Sequence, residues 1–258
     1  FTYRLENMIF NKIFILFKIG RKIGKSNIIN IISETHKIPV FIKIFFNLLA
    51  FSFSSPRDMK GKDNLSTSIQ EMGTTFIKLG QFLATRPDII GEKLSKELES
   101  LQDKLPPFSK KEAEKIIIEN LGQSNFDDII DLSEPIAAAS IAQVHKAKIK
   151  EDNIIKNVAI KVLRPNIKKI FNDEIDAIML LAYIVEGLIA KTKRLKLIEV
   201  VFLFKEITNH EMDLRFEAAA ANEYAENTKN DLGFFVPKIY WNFTSESVLT
   251  LDWVDGVS

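Results

Sequence analysis

The sequence predicts an α+β protein: a helical extension followed by a five-stranded antiparallel sheet with helices inserted before its last strands. Three observations carry this expectation. Apolar residues recur at helical spacing between Leu65 and Leu105. From about Phe126 to Leu163, and again from Phe235 to Gly256, the period shortens to that of strands. Two long helical patterns separate these strand regions, so the order reads three strands, helices, two strands.

The first helix is marked by Leu65, Ile69, Met72, Phe76, Leu79 and Leu83, one apolar stripe of about five turns. Lys78 and Gln81 share a face away from that stripe, and Gly80 between them allows another backbone to approach. The helix should stop at Arg86-Pro87, because a residue before proline is pushed out of helical space. Leu94, Leu98, Leu101 and Leu105 mark a second helix, ended by Pro106-Pro107. Ser109 with Glu112 is a capping box opening a third, which a left-handed Gly122 closes. The expected domain division is therefore residues 1–63, 64–125 and 126–258.

In the strand region, Ala137-Ala138-Ala139-Ser140 forms a small-residue turn, and Gln143 to Ala147 alternates as a strand that leaves His145 exposed. Alanine disfavours positive φ, so this turn should be stiffer than a glycine turn. Glu151–Asn157 reads as a polar hairpin loop, and Val158 to Leu163 as the next strand. Ile167 to about Lys191 and Leu197 to about Lys229 are long helices, the second interrupted near Thr208-Asn209. Asp213 and Glu217 share a helix face, and the alanines from Ala218 to Ala221 let that helix sit close to a sheet. Phe235–Phe243 and Val248–Gly256 read as the last two strands.

Composition narrows the chemistry. In 258 residues, 46% hydrophobic and 27% charged, the chain resembles an ordinary folded protein. The absence of cysteine removes disulfides, thiolate metal sites and cysteine nucleophiles. His36, His145 and His210 lie too far apart in sequence to suggest a histidine metal site. A net charge of +1 argues against nucleic-acid binding through bulk charge. The first 62 residues nonetheless hold eleven Lys and Arg against three Asp and Glu, interleaved with Ile, Phe and Leu. That pattern suits amphipathic helices at an anionic membrane surface, and equally a basic helical face packed on the rest of the protein. Its apolar runs are broken by lysine too often to span a bilayer.

The chemical centre is Lys161, inside Val158-Ala159-Ile160-Lys161-Val162-Leu163. An ammonium in an apolar strand needs an anion, because an unpaired buried charge is costly. The alternative is an amphipathic strand whose lysine reaches back to water. Asp213, Glu217 and Glu211 are the carboxylates that could serve Lys161 and Lys78.

Four separated features, in order, resemble the UbiB family of atypical kinase-like proteins. They are Lys78-Leu79-Gly80-Gln81 with its flanks Phe76 to Asp88, the alanine-rich loop Ala137 to His145, Val158-Ala159-Ile160-Lys161, and Glu211-x-Asp213 followed by Glu217. The resemblance runs from about Leu65 to Ser258. It implies the small lobe of a protein-kinase-like fold, with Asp252-Trp253-Val254-Asp255-Gly256 at the hinge. It further implies that Lys161 contacts the phosphates of ATP or ADP, paired by Glu217, and that Ala137, Ala138, Ala139, Ser140, Val144, Ala159, Asp252 and Val254 border the nucleotide, Val144 capping the adenine. Lys78, Gly80 and Gln81, with Glu211 and Asp213 nearby, would cover the site and suppress ordinary protein phosphorylation.

The implied activity is slow ATP hydrolysis supporting ubiquinone biosynthesis at the cytoplasmic face of a bacterial inner membrane. The implied partners are a membrane lipid or prenylated quinone precursor and other proteins of that biosynthesis. The family's older description as a hydroxylase finds no flavin fingerprint or iron site here. Phosphoryl transfer also needs a large-lobe catalytic loop and a DFG-type aspartate for Mg²⁺. Neither lies before Ser258, so the expectation is a chain truncated at the hinge whose metal ligands belong to a large lobe. A noncatalytic binding or scaffold module is the alternative.

Overall fold

The computed structural model describes residues 14–23, 65–101, 105–188 and 190–256. They fall into two compact units: Phe1–Gln102 with Lys169–Lys205, and Asp103–Lys168 with Glu206–Ser258. The amphipathic pattern expected over residues 1–63 lies outside the described residues except for helix α1, residues 14–23. There Ile19 is buried with Ile15, Leu16 and Ile23 against Leu65, Met72 and Phe76, while Phe14 and Phe17 are exposed.

The first unit is helical. The single long helix expected from Leu65 to Leu83 is two: α2 (Leu65–Met72) and α3 (Thr74–Ala84). Gly73 between them takes φ +101°, outside helical space and open to glycine without strain. The apolar stripe survives the break because both pieces bury into one cluster with Leu94, Leu98 and Leu101. After α3 the chain stops as proline requires, and α4 (Pro87–Ile90) begins with Pro87 in its first turn. The next helix, α5 (Glu92–Glu99), ends before Leu105, which lies in an irregular stretch. Buried Ser66 ties α2 to α5 through the Glu97 carbonyl at 2.9 Å, and buried Ser95 ties α5 to the Ala84 carbonyl.

The second unit opens with α6 (Lys110–Leu121), whose capping box is formed in both directions: Ser109 Oγ accepts from Glu112 N at 3.3 Å and Glu112 Oε2 accepts from Ser109 N at 3.3 Å. Gly122 takes φ 82° with ψ 160°, so the chain leaves the helix extended rather than in the left-handed helical region. α7 (Gln123–Asp127) follows. α6 packs on the sheet: Ala113 and Ile117 are fully buried in one cluster with Val158, Ile160 and Val162. Burying an isoleucine in this way contributes about 1.5–3 kcal/mol. The helix expected to close the extension is thus part of the sheet's own core.

The sheet has five antiparallel strands, β1 (Ile129–Ile130), β2 (Pro135–Ala138), β3 (Ala142–Glu151), β4 (Ile154–Leu163) and β5 (Val248–Asp252). Its order is β1-β3-β4-β5, with β2 also on β3. Four strands therefore precede the helices and one follows. Phe235–Phe243 is no strand: it makes a single bridge, Ile239 to Leu251, and a 3₁₀ turn at Trp241–Phe243. The expected loop Glu151–Asn157 shrinks to Asp152-Asn153, with φ of 50° and 61°, because two left-handed Asx residues close a two-residue hairpin that follows the strand twist.

Helix α8 (Ile167–Leu188) is followed by a 3₁₀ turn (Ala190–Leu195) and α9 (Leu197–Glu211). The break expected at Thr208-Asn209 falls at Met212-Asp213, where Asp213 caps α10 (Leu214–Thr228). Asp213 and Glu217 therefore do not share a continuous helical face. Of the alanines in α10 only Ala218 is fully buried, and Ala219 and Ala220 are exposed.

Candidate functional site

β4 has two faces. Val158, Ile160 and Val162 are fully buried on one; Ala159 and Lys161 alternate onto the other. Register places Val144 and Leu249 directly opposite Lys161, and Lys146 and Leu251 opposite Ala159. Opposed residues of an antiparallel pair share a face, so these side chains form one surface around the lysine.

Lys161 Nζ donates to both oxygens of Glu217, at 2.9 and 2.7 Å. The lysine side chain is 26% exposed and the glutamate 50%. A pair this open to solvent stabilises the fold by no more than about 1 kcal/mol. The pair sets the ammonium beside Glu217 over the sheet face that Val144, Ala159 and Leu249 share with it.

Beside it, Ala137 and Ala138 belong to β2, paired with Val144 and Gln143, and the turn is confined to Ala139–Ile141. Ala139 N donates to Ala142 O at 2.8 Å. No residue of this stretch has positive φ, and Ser140 is fully buried. The turn is gripped by Arg164, three residues past Lys161: Nε and Nη2 donate to Ala139 O at 3.1 and 2.8 Å, and Nη1 to Pro106 O at 3.0 Å. The guanidinium lies 5.9 Å from the Phe108 ring centroid. One planar fork thus satisfies carbonyls from two chain segments, which a lysine could not do. Reading the sequence missed Arg164, although an arginine directly after the lysine strand was a visible signal.

His145, expected exposed, is fully buried, because its strand neighbours alternate the other way. Gln143 accepts from Phe108 N at 2.9 Å through Oε1, which leaves its amide nitrogen to donate to Phe108 O at 3.2 Å and to His145 Nε2 at 2.8 Å. His145 Nε2 must then be an acceptor, so Nδ1 carries the proton and donates to Ser133 O at 2.8 Å. Burial pushes the imidazole below its ordinary value, which keeps it neutral.

Asp252 pairs with Val158 and so projects onto the buried face, opposite Lys161. Its carboxylate accepts from Tyr240 Oη at 2.6 Å and from Lys238 N at 3.3 Å. Burial and that carboxylate push the phenol well above its usual value. Val254 is exposed. Between them Trp253, also missed, donates its indole N–H to Asp255 at 2.7 Å and lies under Lys146, 4.2 Å from Nζ to the ring centroid.

The remaining candidates lie on separate units. Lys78, Gly80 and Gln81 are on α3 in the first, half-buried apart from Gly80, which is buried. The close neighbours of Gly80 are the Leu101 and Ile69 side chains rather than another backbone. Glu211 ends α9, and Asp213 gives both carboxylate oxygens to Arg215, at 2.9 and 2.7 Å. That bonding holds the Asp213 carboxyl below the usual range. Among the described residues no group of three or more His, Asp or Glu could hold a metal ion. The Lys161 ammonium suits an anion, and the single carboxylate paired with it does not make a Mg²⁺ site.

Residues 100–258 match the ABC1 atypical kinase-like domain. The chain belongs to that family. Proteins described as a probable protein kinase UbiB are similar to it: that of Marinobacter nauticus is 34% identical over 86% of this chain and 40% of its own length. That of Cellvibrio japonicus is 36% identical over 81% and 38%. The Pseudomonas paraeruginosa protein is 31% identical over 94% and 45%. The chain thus spans less than half the length of these curated relatives of the ABC1 family.

Proposed function

We propose that the Lys161 face binds the phosphates of ATP or ADP, in a kinase-like ATPase that supports ubiquinone biosynthesis at the cytoplasmic face of a bacterial inner membrane. The observation that carries this reading is the bidentate Lys161–Glu217 pair above an apolar sheet face. Lys161 neutralises phosphate charge and Glu217 aims it. Ala139 and Ser140, gripped through Arg164, border the phosphates, while Val144, Ala159 and the backbone of Asp252 to Val254 border the base. Lys78, Gly80 and Gln81, with Glu211 and Asp213, act as regulators of that site, as the family resemblance implies. Mg²⁺, where used, draws on ligands other than the described residues. A membrane lipid or prenylated quinone precursor and other proteins of the same biosynthesis are the partners in this reading. No helix among the described residues is long and apolar enough to cross a membrane, which suits peripheral attachment.

Calorimetric titration of the chain with ADP tests the proposal. Weak binding should appear and be lost in Lys161→Ala. In urea unfolding, ADP at about a hundred times Kd should add roughly 2.7 kcal/mol of stability. Binding that is unchanged in Lys161→Ala would refute the Lys161 site, and no ADP binding at all would leave the noncatalytic scaffold in its place.

A further inference from the structure

The first unit holds a cleft of about 390 Å³, between the start of α4 and the junction of the 3₁₀ turn with α9. That size is within the range of small-ligand pockets, roughly 300–1,000 Å³. Its two carboxylates are already matched. Arg86 donates to both oxygens of Asp88, at 2.9 and 2.8 Å, and Lys196 to both oxygens of Glu199, at 2.9 Å each. Arg194 is the third cation of the lining, and no carboxylate among the described residues meets its exposed guanidinium. The cleft therefore has one cation in excess. Its remaining wall is apolar: Ile89, Val200 and Leu203, the last 44% exposed, with Phe202 beside it 58% exposed.

Lys196 breaks two local rules at this place. It takes φ 50°, a left-handed conformation that glycine or asparagine adopts far more cheaply. It also sets a cation at the start of α9, where Val200 N donates to its carbonyl at 3.0 Å and the helix dipole favours negative charge. Sequence choices that oppose local stability concentrate where a ligand is served.

We propose that this cleft binds a small anionic amphiphile, its phosphate head on Arg194, with Lys196 turning from Glu199 to share it, and its apolar stem along Ile89, Val200 and Leu203. The site shares no residue with the nucleotide reading, since every residue in it belongs to the first unit, while its lipid outcome rests on the proposed membrane-lipid partner.

The test titrates the whole chain with dodecyl phosphate below its micelle concentration, with inorganic phosphate, and with vesicles of phosphatidylglycerol and phosphatidylcholine. Dodecyl phosphate should bind at least about tenfold more tightly than inorganic phosphate, and Arg194→Glu should weaken it about tenfold without moving the urea midpoint. Lys196→Gly should raise Tm by about 2 °C yet weaken the amphiphile, a split that a purely structural lysine would not give. Vesicle binding with the same Arg194 dependence identifies a lipid surface as the source of the head group; dodecyl phosphate binding alone identifies a soluble amphiphile. Equal affinity for inorganic phosphate, or indifference to Arg194→Glu, overturns the proposal.

Discussion

Arg164 closes on the carbonyl of Ala139 with two donors, Nη2 at 2.8 Å and Nε at 3.1 Å, and reaches Pro106 O with a third. The alanine turn is thereby tied both to the end of β4 and to the segment that leads into α6. Arg164→Ala should cost about 1–3 kcal/mol in urea unfolding, since several carbonyls lose a charged donor together. Arg164→Lys should recover less than half of that, because a single ammonium cannot form the fork. Hydrogen exchange supplies the local readout: the Ala139 and Ala142 amides should lose protection in both variants. Unchanged protection would show that the turn holds itself.

The His145 network sets a pH dependence. Its imidazole is held below the ordinary value of 6.5, so the unfolded chain binds a proton more readily than the folded one. Stability from this group is full above about pH 6.5 and falls as pH drops through that value towards the lowered folded one. The urea midpoint should therefore decline below pH 6.5, and His145→Gln should flatten the decline. A slope unaffected by the substitution would assign it to other groups.

Gly80 faces Leu101, whose Cδ1 would collide with an added Cβ. Gly80→Ala alone should destabilise by about 1 kcal/mol, because the buried Leu101 must turn its methyl aside. In Leu101→Ala the same change should cost much less, because the colliding methyl is gone. The double-mutant cycle reads the coupling directly. Additive costs would contradict the packing described here.

Tyr240 and Asp252 are joined at 2.6 Å on the buried sheet face. Tyr240→Phe should cost about 1–3 kcal/mol, because it strips a hydrogen bond from a carboxylate. On the proposed nucleotide reading, ADP affinity should be unchanged, since Lys161 lies on the other face. A parallel loss of stability and affinity would place the two faces in one coupled unit.

Local features were legible without coordinates. The Ser109–Glu112 capping box, the stop at Pro87 and the alternation of β4 around Lys161 each depend on residues within a turn or two of one another. The break at Gly73 was hidden because the apolar stripe continues through it, and one glycine weighs little in a periodic pattern. Phe235–Phe243 mimicked a strand through its apolar and aromatic residues, yet it lacks a continuous partner. Glu217 could be singled out for Lys161 only through the family resemblance; spacing alone left Asp213 equal to it.

The amino-acid sequence by itself determined the α+β class, most of the element types and the face of β4 on which Lys161 stands, because periodicity and capping act over a few residues. Tertiary structure alone decided what meets that face. Glu217 arrives from 56 residues away, Arg164 crosses to Ala139 25 residues back, and strand register sends Asp252 and His145 to the buried side. The physical reason is that a one-residue change of register exchanges every side chain between faces, and register is chosen by burial across the whole sheet.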